Sequence, residues 1–245
     1  MKIKILDVNF DNITMTIALK KIENFIQSDN KYEIVTLNPE FLMKARKDAE
    51  FKEILNKADL AVPDGVGLVW AARLLGYSVV ERVGGADLME QLVSLAEKKG
   101  WTVFFLGAAD GVAEEVARVL ANRYQKLKIV GTYSGDPSSS ADEETVRRIN
   151  KSNRKINLLF VAYGAPRQEK WIFRNLSKVD ANVAIGVGGT FDYISMRKRR
   201  APRLLQNLGL EWLFRLIQEP WRWKRQLWIP FMFLILLERL KKKTP

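Results

Sequence analysis

The strongest constraint on the fold is a regular alternation of apolar, strand-like runs with amphipathic, helix-like segments. Several runs, such as INLLFVAYG and NVAIGVGG, are apolar almost without a break. A strand with one face in water would instead alternate apolar and polar residues, so continuous apolarity is typical of parallel strands covered by helices on both faces. We therefore predict an α/β fold with a doubly wound, mostly parallel, Rossmann-like sheet.

Local signals place the individual elements along this pattern. KIKILDV is predicted to be the first strand, leading to a helix from about Thr14 to Ser28. The segment PEFLMKARKDAEFKEILNKA is predicted to be one helix, because Pro39 suits a helix start. The helix that follows Arg82 is expected to stop at Gly100, a typical residue after a helix end.

The positive charge of the chain is concentrated near its C-terminus. Residues 197–245 contain thirteen Lys or Arg and three Asp or Glu, so they account for +10 of the net charge of +12. Four of the seven tryptophans lie there as well. The sequence therefore predicts two parts, an α/β catalytic domain over 1–196 and a basic, tryptophan-rich helical appendage over 197–245.

Composition excludes several kinds of chemistry. The chain has no cysteine and no histidine, which removes disulfides, thiolate nucleophiles and the commonest general base and zinc ligand. Acid–base catalysis must therefore use Asp, Glu, Lys or Tyr. The N-terminus lacks the apolar stretch of a secretory signal, and the longest apolar run, residues 227–237, is shorter than the ~20 residues of a membrane-spanning helix.

Polar residues and glycines crowd the predicted carboxyl ends of the strands. In doubly wound sheets, ligands bind at these ends, near a switch in strand order. The rule selects the following candidates: Thr36, Asn38, Asp64, residues 107–110 beginning with Gly107, residues 133–136 beginning with Tyr133, residues 163–168 and residues 186–192.

Asp64 is the candidate with the clearest alternatives. In ADLAVPDGVG it follows an apolar strand and precedes Gly65 and Gly67. It could make a turn or cap a helix, as Asp before Gly commonly does, or it could act as a general base. The same glycines resemble a dinucleotide fingerprint, but Trp70 stands in place of the third glycine. We expect its bulk to prevent close helix–strand packing, and the pattern therefore argues against a nicotinamide site.

Two later glycine segments favour an anionic or nucleotide ligand. In AYGAPRQEKWI, Gly164 permits close backbone approach, and Arg167 with Lys170 places two cations at a helix start, an arrangement that a bound anion would explain. In GVGGTFDYISMRKRRAP the glycines precede polar side chains that could contact a ribose or base, although the loop could also simply mark a domain boundary. The predicted ligand contacts of this second segment are Gly188, Gly189, Thr190 and Asp192.

The composition of the appendage indicates binding to a membrane or to protein, and not to nucleic acid. Tryptophans and basic residues beside the run FMFLILL are typical of an interfacial helix on anionic lipid. A helical hairpin packed on the body or on a second subunit remains an alternative, so a homo-oligomer is left open. Nucleic acid is not expected, because phosphate binding does not use seven contiguous apolar residues.

Read together, six ordered blocks resemble the WecG/TagA/CpsF family of bacterial glycosyltransferases, from about Lys4 to Arg225. The blocks are TLNPEFLMKA, ADLAVPDGVGLVWAARLLG, ERVGGADL, FFLGA, VAYGAPRQEKWI and the segment from GVGGTFDY to LFRLIQEPWR. The resemblance implies a peripheral enzyme on the cytoplasmic face of the cell membrane. Such an enzyme transfers a sugar, with inversion, from a UDP-sugar to a polyprenyl-diphosphate-linked acceptor.

The resemblance also implies substrates. For its teichoic-acid branch the donor is UDP-N-acetylmannosamine and the acceptor is N-acetylglucosamine on undecaprenyl diphosphate. The product is the β-1,4-linked disaccharide of the wall teichoic acid linkage unit. A donor carrying N-acetylmannosamine uronic acid or glucose, for a different surface polysaccharide, is the alternative.

Residue roles follow from the same resemblance. Asp64 matches the catalytic base, and Thr36 and Asn38 match polar residues of the same cleft. Arg82, which on its own pattern would be an ordinary surface arginine, and Gln168 match positions near the donor phosphates and sugar. Residues 186–192 match the nucleotide-binding edge. The appendage arginines are candidates to close over the diphosphate when the appendage docks on a membrane, and they are Arg215, Arg222 and Arg225.

The resemblance, combined with the composition, implies a reaction without a cofactor or an essential metal. Many glycosyltransferases hold a metal with Asp-x-Asp, which this chain lacks. Arginines, glycine-loop amides and helix N-termini would then neutralise the departing UDP. Two rival hypotheses remain, an NAD-dependent nucleotide-sugar epimerase or dehydrogenase, and a non-catalytic membrane-peripheral nucleotide-binding module in which Asp64 is only a turn residue.

Overall fold

A computed structural model describes residues 1–220 and 228–243 of the chain. The strands of the structure are β1 (Lys2–Ile5), β2 (Val8–Asp11), β3 (Tyr32–Leu37), β4 (Leu60–Pro63), β5 (Thr102–Gly107), β6 (Lys128–Tyr133), β7 (Ile156–Ala162) and β8 (Ala181–Gly186). Its centre is a sheet of six parallel strands in the order β4-β3-β8-β7-β5-β6, which confirms the doubly wound α/β prediction.

Helices cover both faces of this sheet. Their bounds are α1 (Met15–Gln27), α2 (Pro39–Ala45), α3 (Ala49–Lys57), α4 (Val66–Leu74), α5 (Gly85–Lys99), α6 (Val112–Arg123), α7 (Asp142–Asn150), α8 (Arg167–Asn175), α9 (Thr190–Ile194), α10 (Arg203–Asn207), α11 (Glu211–Gln218) and α12 (Trp228–Lys243). One apolar core lies between the sheet and α1, α5 and α6, and two further clusters lie on the opposite face. Burial on both faces explains why the central strands are continuously apolar.

The strand order reverses at the middle of the sheet. From β3 the chain runs outward to β4, crosses to β5 and β6 at the other edge, and returns through β7 to β8, which pairs with β3. Loops on either side of such a switch point diverge and leave a crevice at the carboxyl ends of the strands. The ends of β3, β4, β7 and β8 therefore surround the position where a ligand is expected.

The first predicted strand is outside this sheet. β1 and β2 form a separate antiparallel hairpin, whose turn contains Leu6 and Asp7 at positive φ. Its alternating residues Ile3, Ile5 and Phe10 are buried in the cluster that also contains Leu37 and Leu68. Apolar and polar residues alternate in this hairpin because only one of its faces is covered by protein, whereas the strands of the central sheet are covered on both faces and are continuously apolar.

The prediction of a single helix from Pro39 is wrong, because the segment forms two helices. α2 ends at Ala45, and Asp48 starts α3 by accepting a hydrogen bond from the Phe51 N–H at 3.0 Å. An aspartate side chain that caps the next backbone N–H groups competes with continuation of the preceding helix.

The effect expected of Trp70 is also wrong. Trp70 is 57% exposed, whereas Gly67 and Ala71 of the same helix are buried. The indole therefore points away from the strands and does not hinder helix–strand packing. Its bulk is not an argument against a dinucleotide.

Part of the predicted appendage packs on the α/β body. α12 contacts α2 and α4, and Phe231 and Ile235 are completely buried against that side of the body. Phe233 and Leu240 of the same helix are more than 60% exposed. Among the described residues, no helix has both the length and the apolarity to cross a membrane.

Candidate active site

A cavity of about 760 Å³ opens at the carboxyl ends of the strands. The loops after β3, β4, β7 and β8 form its floor and walls, and Glu211, Trp212 and Arg215 of α11 line it from the appendage. The predicted site residues that the structure brings together around it are Thr36, Asn38, Asp64, Arg82, Gly164, Arg167, Gln168, Gly188, Gly189, Thr190, Asp192 and Arg215.

Asp64 is held at the cavity by the end of β4. Its backbone N–H donates to the Leu37 carbonyl at 2.6 Å, which continues the pairing with β3 beyond Pro63. The residue before α4 is Gly65, and no side chain caps that helix. Asp64 therefore does not serve as the helix cap considered from the sequence. Its carboxylate instead lies beside the backbone of Gly85 at the start of α5, whose N–H lowers the pKa of Asp64.

The surroundings of Asp64 favour its protonated form more than water does. The carboxylate is enclosed by protein yet keeps part of its surface open to the cavity. Burial raises its pKa to about 6, and the carboxylates of Glu211 and Asp87 add to the rise, while Arg82 and the Gly85 N–H oppose it. A carboxylate with such a pKa is a better proton acceptor than an ordinary aspartate and is still mostly ionised at neutral pH.

A glycine makes the close environment of Asp64 possible. A Cβ at Gly85 would lie 3.2 Å from Asp64 Oδ2 and 3.2 Å from Thr36 Cβ. Thr36 is buried, and its hydroxyl donates to the Gly186 carbonyl at 3.2 Å, which ties β3 to β8 beside Asp64. The glycine thus lets α5 begin directly over both side chains.

Asn38 combines a place in the lining with a role in helix α2. Its side-chain oxygen accepts from the Phe41 N–H at 3.3 Å and so caps that helix. The same loop lies near Gly65, where an added Cβ would be 3.5 Å from Asn38 Cβ. Asn38 therefore sits next to the Asp64 turn, as its prediction required.

The first turn of α8 contributes a pair of contrasting side chains. Gln168 is 1% exposed, and its carbonyl oxygen accepts from the N–H groups of Gly164 and Gly188, both at 3.0 Å. It thereby joins the loops after β7 and β8 under the cavity. Arg167 is exposed, and among the described residues it is the one cation of the lining without an ion pair.

The loop after β8 presents backbone and polar groups to the cavity. The Thr190 hydroxyl donates to the Val187 carbonyl at 2.7 Å, so it stabilises the start of α9 and is itself buried. Asp192 pairs with Lys198 at 3.0 Å. Gly188 and Gly189 leave the backbone between these residues accessible from the cavity.

Arg215 brings a guanidinium from the appendage to this loop. It lies over the ring of Tyr193, 5.1 Å from the centroid, and 3.8 Å from Glu219. A Cβ added to Gly189 would overlap its Nη2 atom. Arg215 therefore occupies the space that the glycine leaves open, at the edge of the cavity.

Comparison with known proteins identifies the family of this chain. A sequence model of the glycosyl transferase WecG/TagA/CpsF family matches residues 3–245. The chain belongs to this family. It is accordingly a glycosyltransferase, and the match extends through the appendage.

Two family members illustrate the degree of similarity. The N-acetylglucosaminyldiphosphoundecaprenol N-acetyl-beta-D-mannosaminyltransferase of Bacillus subtilis (strain 168) is 33% identical over 240 residues, which cover 97% of this chain and 92% of the relative. The protein of the same name from Staphylococcus aureus (strain MW2) is 34% identical over 226 residues, which cover 91% of this chain and 86% of the relative.

Two residues predicted to bind substrate do not reach the cavity of this family member. An added Cβ at Gly107 would lie 3.0 Å from the Ala162 carbonyl carbon, so the glycine permits close packing of β5 on β7. Tyr133 lies at the end of the edge strand β6, and its ring centroid is 5.8 Å from the guanidinium carbon of Arg148. Their neighbours Ala108 and Gly135 line the cavity instead. Arg222 and Arg225 lie outside the described residues.

Sequence reasoning missed several charged residues of the site. Lys198, Arg200 and Glu211 line the cavity, and Asp87 pairs with two of its arginines. The first two belong to a cationic run that indicated charge without indicating partners, and Glu211 had no local signal. Among the described residues, no three or more Asp and Glu side chains converge as a group that could hold a metal ion.

Proposed function

We propose that this glycosyltransferase transfers N-acetylmannosamine from UDP-N-acetylmannosamine to N-acetylglucosamine on undecaprenyl diphosphate. The product is the β-1,4-linked disaccharide of the wall teichoic acid linkage unit. The acceptor and the transferred sugar are those in the names of the two relatives, which match this chain over nearly its whole length. The donor and the stereochemical course are our own inference.

The observation that carries the proposal is the placement of Asp64. It is a carboxylate with a pKa of about 6, open to a cavity that has room for a sugar and a diphosphate and is lined by several cations. In the proposed reaction, Asp64 takes the proton of the acceptor hydroxyl as its oxygen attacks the anomeric carbon of the donor sugar. The bond from that carbon to the UDP oxygen breaks, and UDP leaves with the electron pair. Attack opposite to the leaving group inverts the anomeric centre.

The departing UDP needs stabilisation of its developing negative charge. Arg167 and Arg215 both line the cavity, Arg215 beside Gly189, and supply positive charge there. Backbone N–H groups of the glycine loops and the N-terminus of α8 add to it. We propose that these groups take the place of a metal ion, and that Arg222 and Arg225 join them.

The lipid-linked acceptor requires that the enzyme work at a membrane surface. The appendage has exposed apolar residues on α11 and α12, among them Ile217, Phe233 and Leu240. Its net charge favours anionic lipid. We propose peripheral association with the cytoplasmic face of the cell membrane through this surface.

The test of the proposed reaction is an assay of purified full-length enzyme with a panel of UDP-sugars and lipid-linked N-acetylglucosamine. The panel contains N-acetylmannosamine, its uronic acid, N-acetylglucosamine and glucose as UDP derivatives. Mass spectrometry and NMR of the product determine the added mass and the anomeric configuration. Transfer from UDP-N-acetylmannosamine with inversion is expected. Retention, or turnover confined to another donor, would overturn the proposal, and Asp64→Asn provides the inactive control.

A further inference from the structure

Four side chains beside the proposed base form a closed ring of alternating charge. Arg82 lies 3.4 Å from Asp87 and 3.9 Å from Glu211, and Arg200 lies 2.7 Å from Asp87 and 3.2 Å from Glu211. Each carboxylate thus bridges both guanidinium groups. All four side chains are between one fifth and one third exposed, so water screens them only in part.

The ring joins two parts of the chain that are distant in sequence. Arg82 and Asp87 belong to the loop before α5 and to its first turn, and the Val83 N–H fixes that loop by donating to the Pro63 carbonyl at 2.9 Å. Arg200 and Glu211 belong to the segment that follows α9, and Glu211 is the first residue of α11. The ring therefore holds α11 over the cavity mouth beside Asp64.

Arg82 is close enough to Asp64 to stabilise its ionised form, yet its ion pairs are made elsewhere. Among the described residues, the ion pairs of Arg82 are those with Asp87 and Glu211, and none joins it to Asp64. An arginine paired directly with the base would occupy the carboxylate oxygens that must receive the acceptor proton. It would also make that carboxylate a weaker proton acceptor.

We propose that Glu211, acting with Asp87, is a positioning residue for the transfer reaction, because it holds the Arg82 guanidinium away from Asp64. The inference rests on the proposed function of Asp64 as base. One of the two carboxylates that hold Arg82, Glu211, lies on α11 of the appendage. Arg82 is therefore held fully away from Asp64 only when α11 is packed over the cavity.

The charges that face Asp64 determine the sign of the expected effect. Arg82 from the α4–α5 loop and the Gly85 N–H from α5 lower its pKa, whereas Asp87 from α5 and Glu211 from α11 raise it. Glu211→Gln removes a negative charge and releases Arg82 toward the base. Both changes favour the ionised form, so the pKa of Asp64 falls in this variant.

The matched control is Glu219→Gln. Glu219 is also an appendage carboxylate with two ion pairs, one to Lys198 at 2.9 Å and one to Arg215, one turn earlier in α11, at 3.8 Å. It does not contribute to the pKa of Asp64. Its replacement weakens the link from α11 through Lys198 to Asp192 of α9 without changing the charges around the base.

The experiment is a ¹³C NMR titration of full-length protein labelled at the aspartate carboxyl carbons. The Asp64 signal is assigned by its loss in Asp64→Asn. We expect a midpoint near 6 in the unaltered chain and in Glu219→Gln, and a midpoint lower by roughly half a pH unit or more in Glu211→Gln. Asp87→Asn, which removes the other restraining carboxylate from the body side, should shift the midpoint in the same direction.

The outcomes separate this inference from the proposed reaction. An unmoved Asp64 midpoint in folded Glu211→Gln, or in Asp87→Asn if the former does not fold, would overturn the positioning role whatever the activity. An equal shift in Glu219→Gln would also overturn it, because loosening of α11 would then be the cause. Absence of sugar transfer by the unaltered enzyme would refute the proposed reaction without affecting the titration. With transfer established, Glu211→Gln should lower kcat several-fold at pH 7 and change the KM for the donor less.

Discussion

Gln168 and Glu169 are consecutive residues whose side chains bond to each other inside the protein. The Gln168 amide donates to Glu169 Oε1 at 2.6 Å, and both side chains are at most 1% exposed. Gln168 in turn accepts from the backbone of Gly164 and Gly188. Glu169 therefore fixes the orientation of the amide that joins two loops of the cavity.

Glu169→Gln is expected to preserve this arrangement, whereas Glu169→Ala is expected to disrupt it. Burial raises the pKa of Glu169 to about 7, and burial together with Glu169 raises the pKa of the neighbouring Glu33 well above its usual range. A glutamine is neutral like the protonated acid and still accepts from Gln168. Alanine leaves a buried amide N–H without its acceptor, at a cost of about 1–3 kcal/mol in unfolding free energy. Urea denaturation and kcat/KM measure both effects.

The pH dependence distinguishes this explanation from simple packing. The folded-state pKa of Glu169 is raised from 4.5 to about 7, so its contribution to stability is full below pH 4.5 and is lost as the pH rises through 7. Glu169→Gln should remove the part of the fall in unfolding free energy with rising pH that is due to ionisation of Glu169. An identical pH profile for both proteins would contradict the assignment of a buried neutral acid.

The parallel sheet can be predicted from the sequence, because burial on both faces makes each central strand continuously apolar. The carboxyl ends of those strands can then be predicted as the place where a ligand binds. The pattern does not contain strand order or pairing, so it does not reveal that β1 and β2 form a separate antiparallel hairpin. Strand ends likewise indicate an edge but no side-chain direction, which is why Gly107 and Tyr133 were selected although their neighbours line the cavity. The pairing of Asp87 with Arg200 depends on contacts across more than a hundred residues, and no local rule predicts it.

Asp64→Asn should abolish transfer and at the same time stabilise the protein at alkaline pH. The raised pKa means that ionised Asp64 costs stability in the folded state, and this cost grows from pH 4 through pH 6. Removing the charge should raise the unfolding free energy at pH 8 by about 3 kcal/mol and change it little at pH 4. Thermal melts at the two pH values measure the difference. Equal effects at both would show that the carboxylate is not strained by burial.

Gly189→Ala offers a test of Arg215 without removing the arginine. The φ of Gly189 is −78°, which alanine adopts readily, and the added Cβ would meet only the end of the flexible Arg215 side chain. We expect the guanidinium to move away from the cavity at a cost below about 1 kcal/mol in stability. The KM for the UDP-sugar should then rise about as much as in Arg215→Ala. Additive effects in the double variant would contradict a shared cause.

Turnover should be insensitive to chelators. If arginines and loop amides stabilise the departing UDP, enzyme treated with EDTA should keep its full rate, and Arg167→Ala should lower kcat/KM by roughly ten- to a hundred-fold. Arg167→Lys is the matched control, because lysine keeps the positive charge but lacks the planar, forked set of N–H donors of the guanidinium group. Loss of activity in EDTA that Mg²⁺ or Mn²⁺ restores would contradict the metal-independent proposal.

Membrane association should depend on the exposed apolar face of α12. Deleting the appendage is a poor test, because Phe231 and Ile235 belong to the core and their removal would expose the body. Phe233→Glu and Leu240→Glu change side chains that are 61% and 62% exposed, so the fold should tolerate them. Each should reduce binding to vesicles containing phosphatidylglycerol by about tenfold, the effect of losing one buried apolar side chain. Val80→Glu, 62% exposed on the body, is the control and should bind normally. Unchanged vesicle binding, with a change in sedimentation of the lipid-free protein, would instead assign this face to contact between subunits.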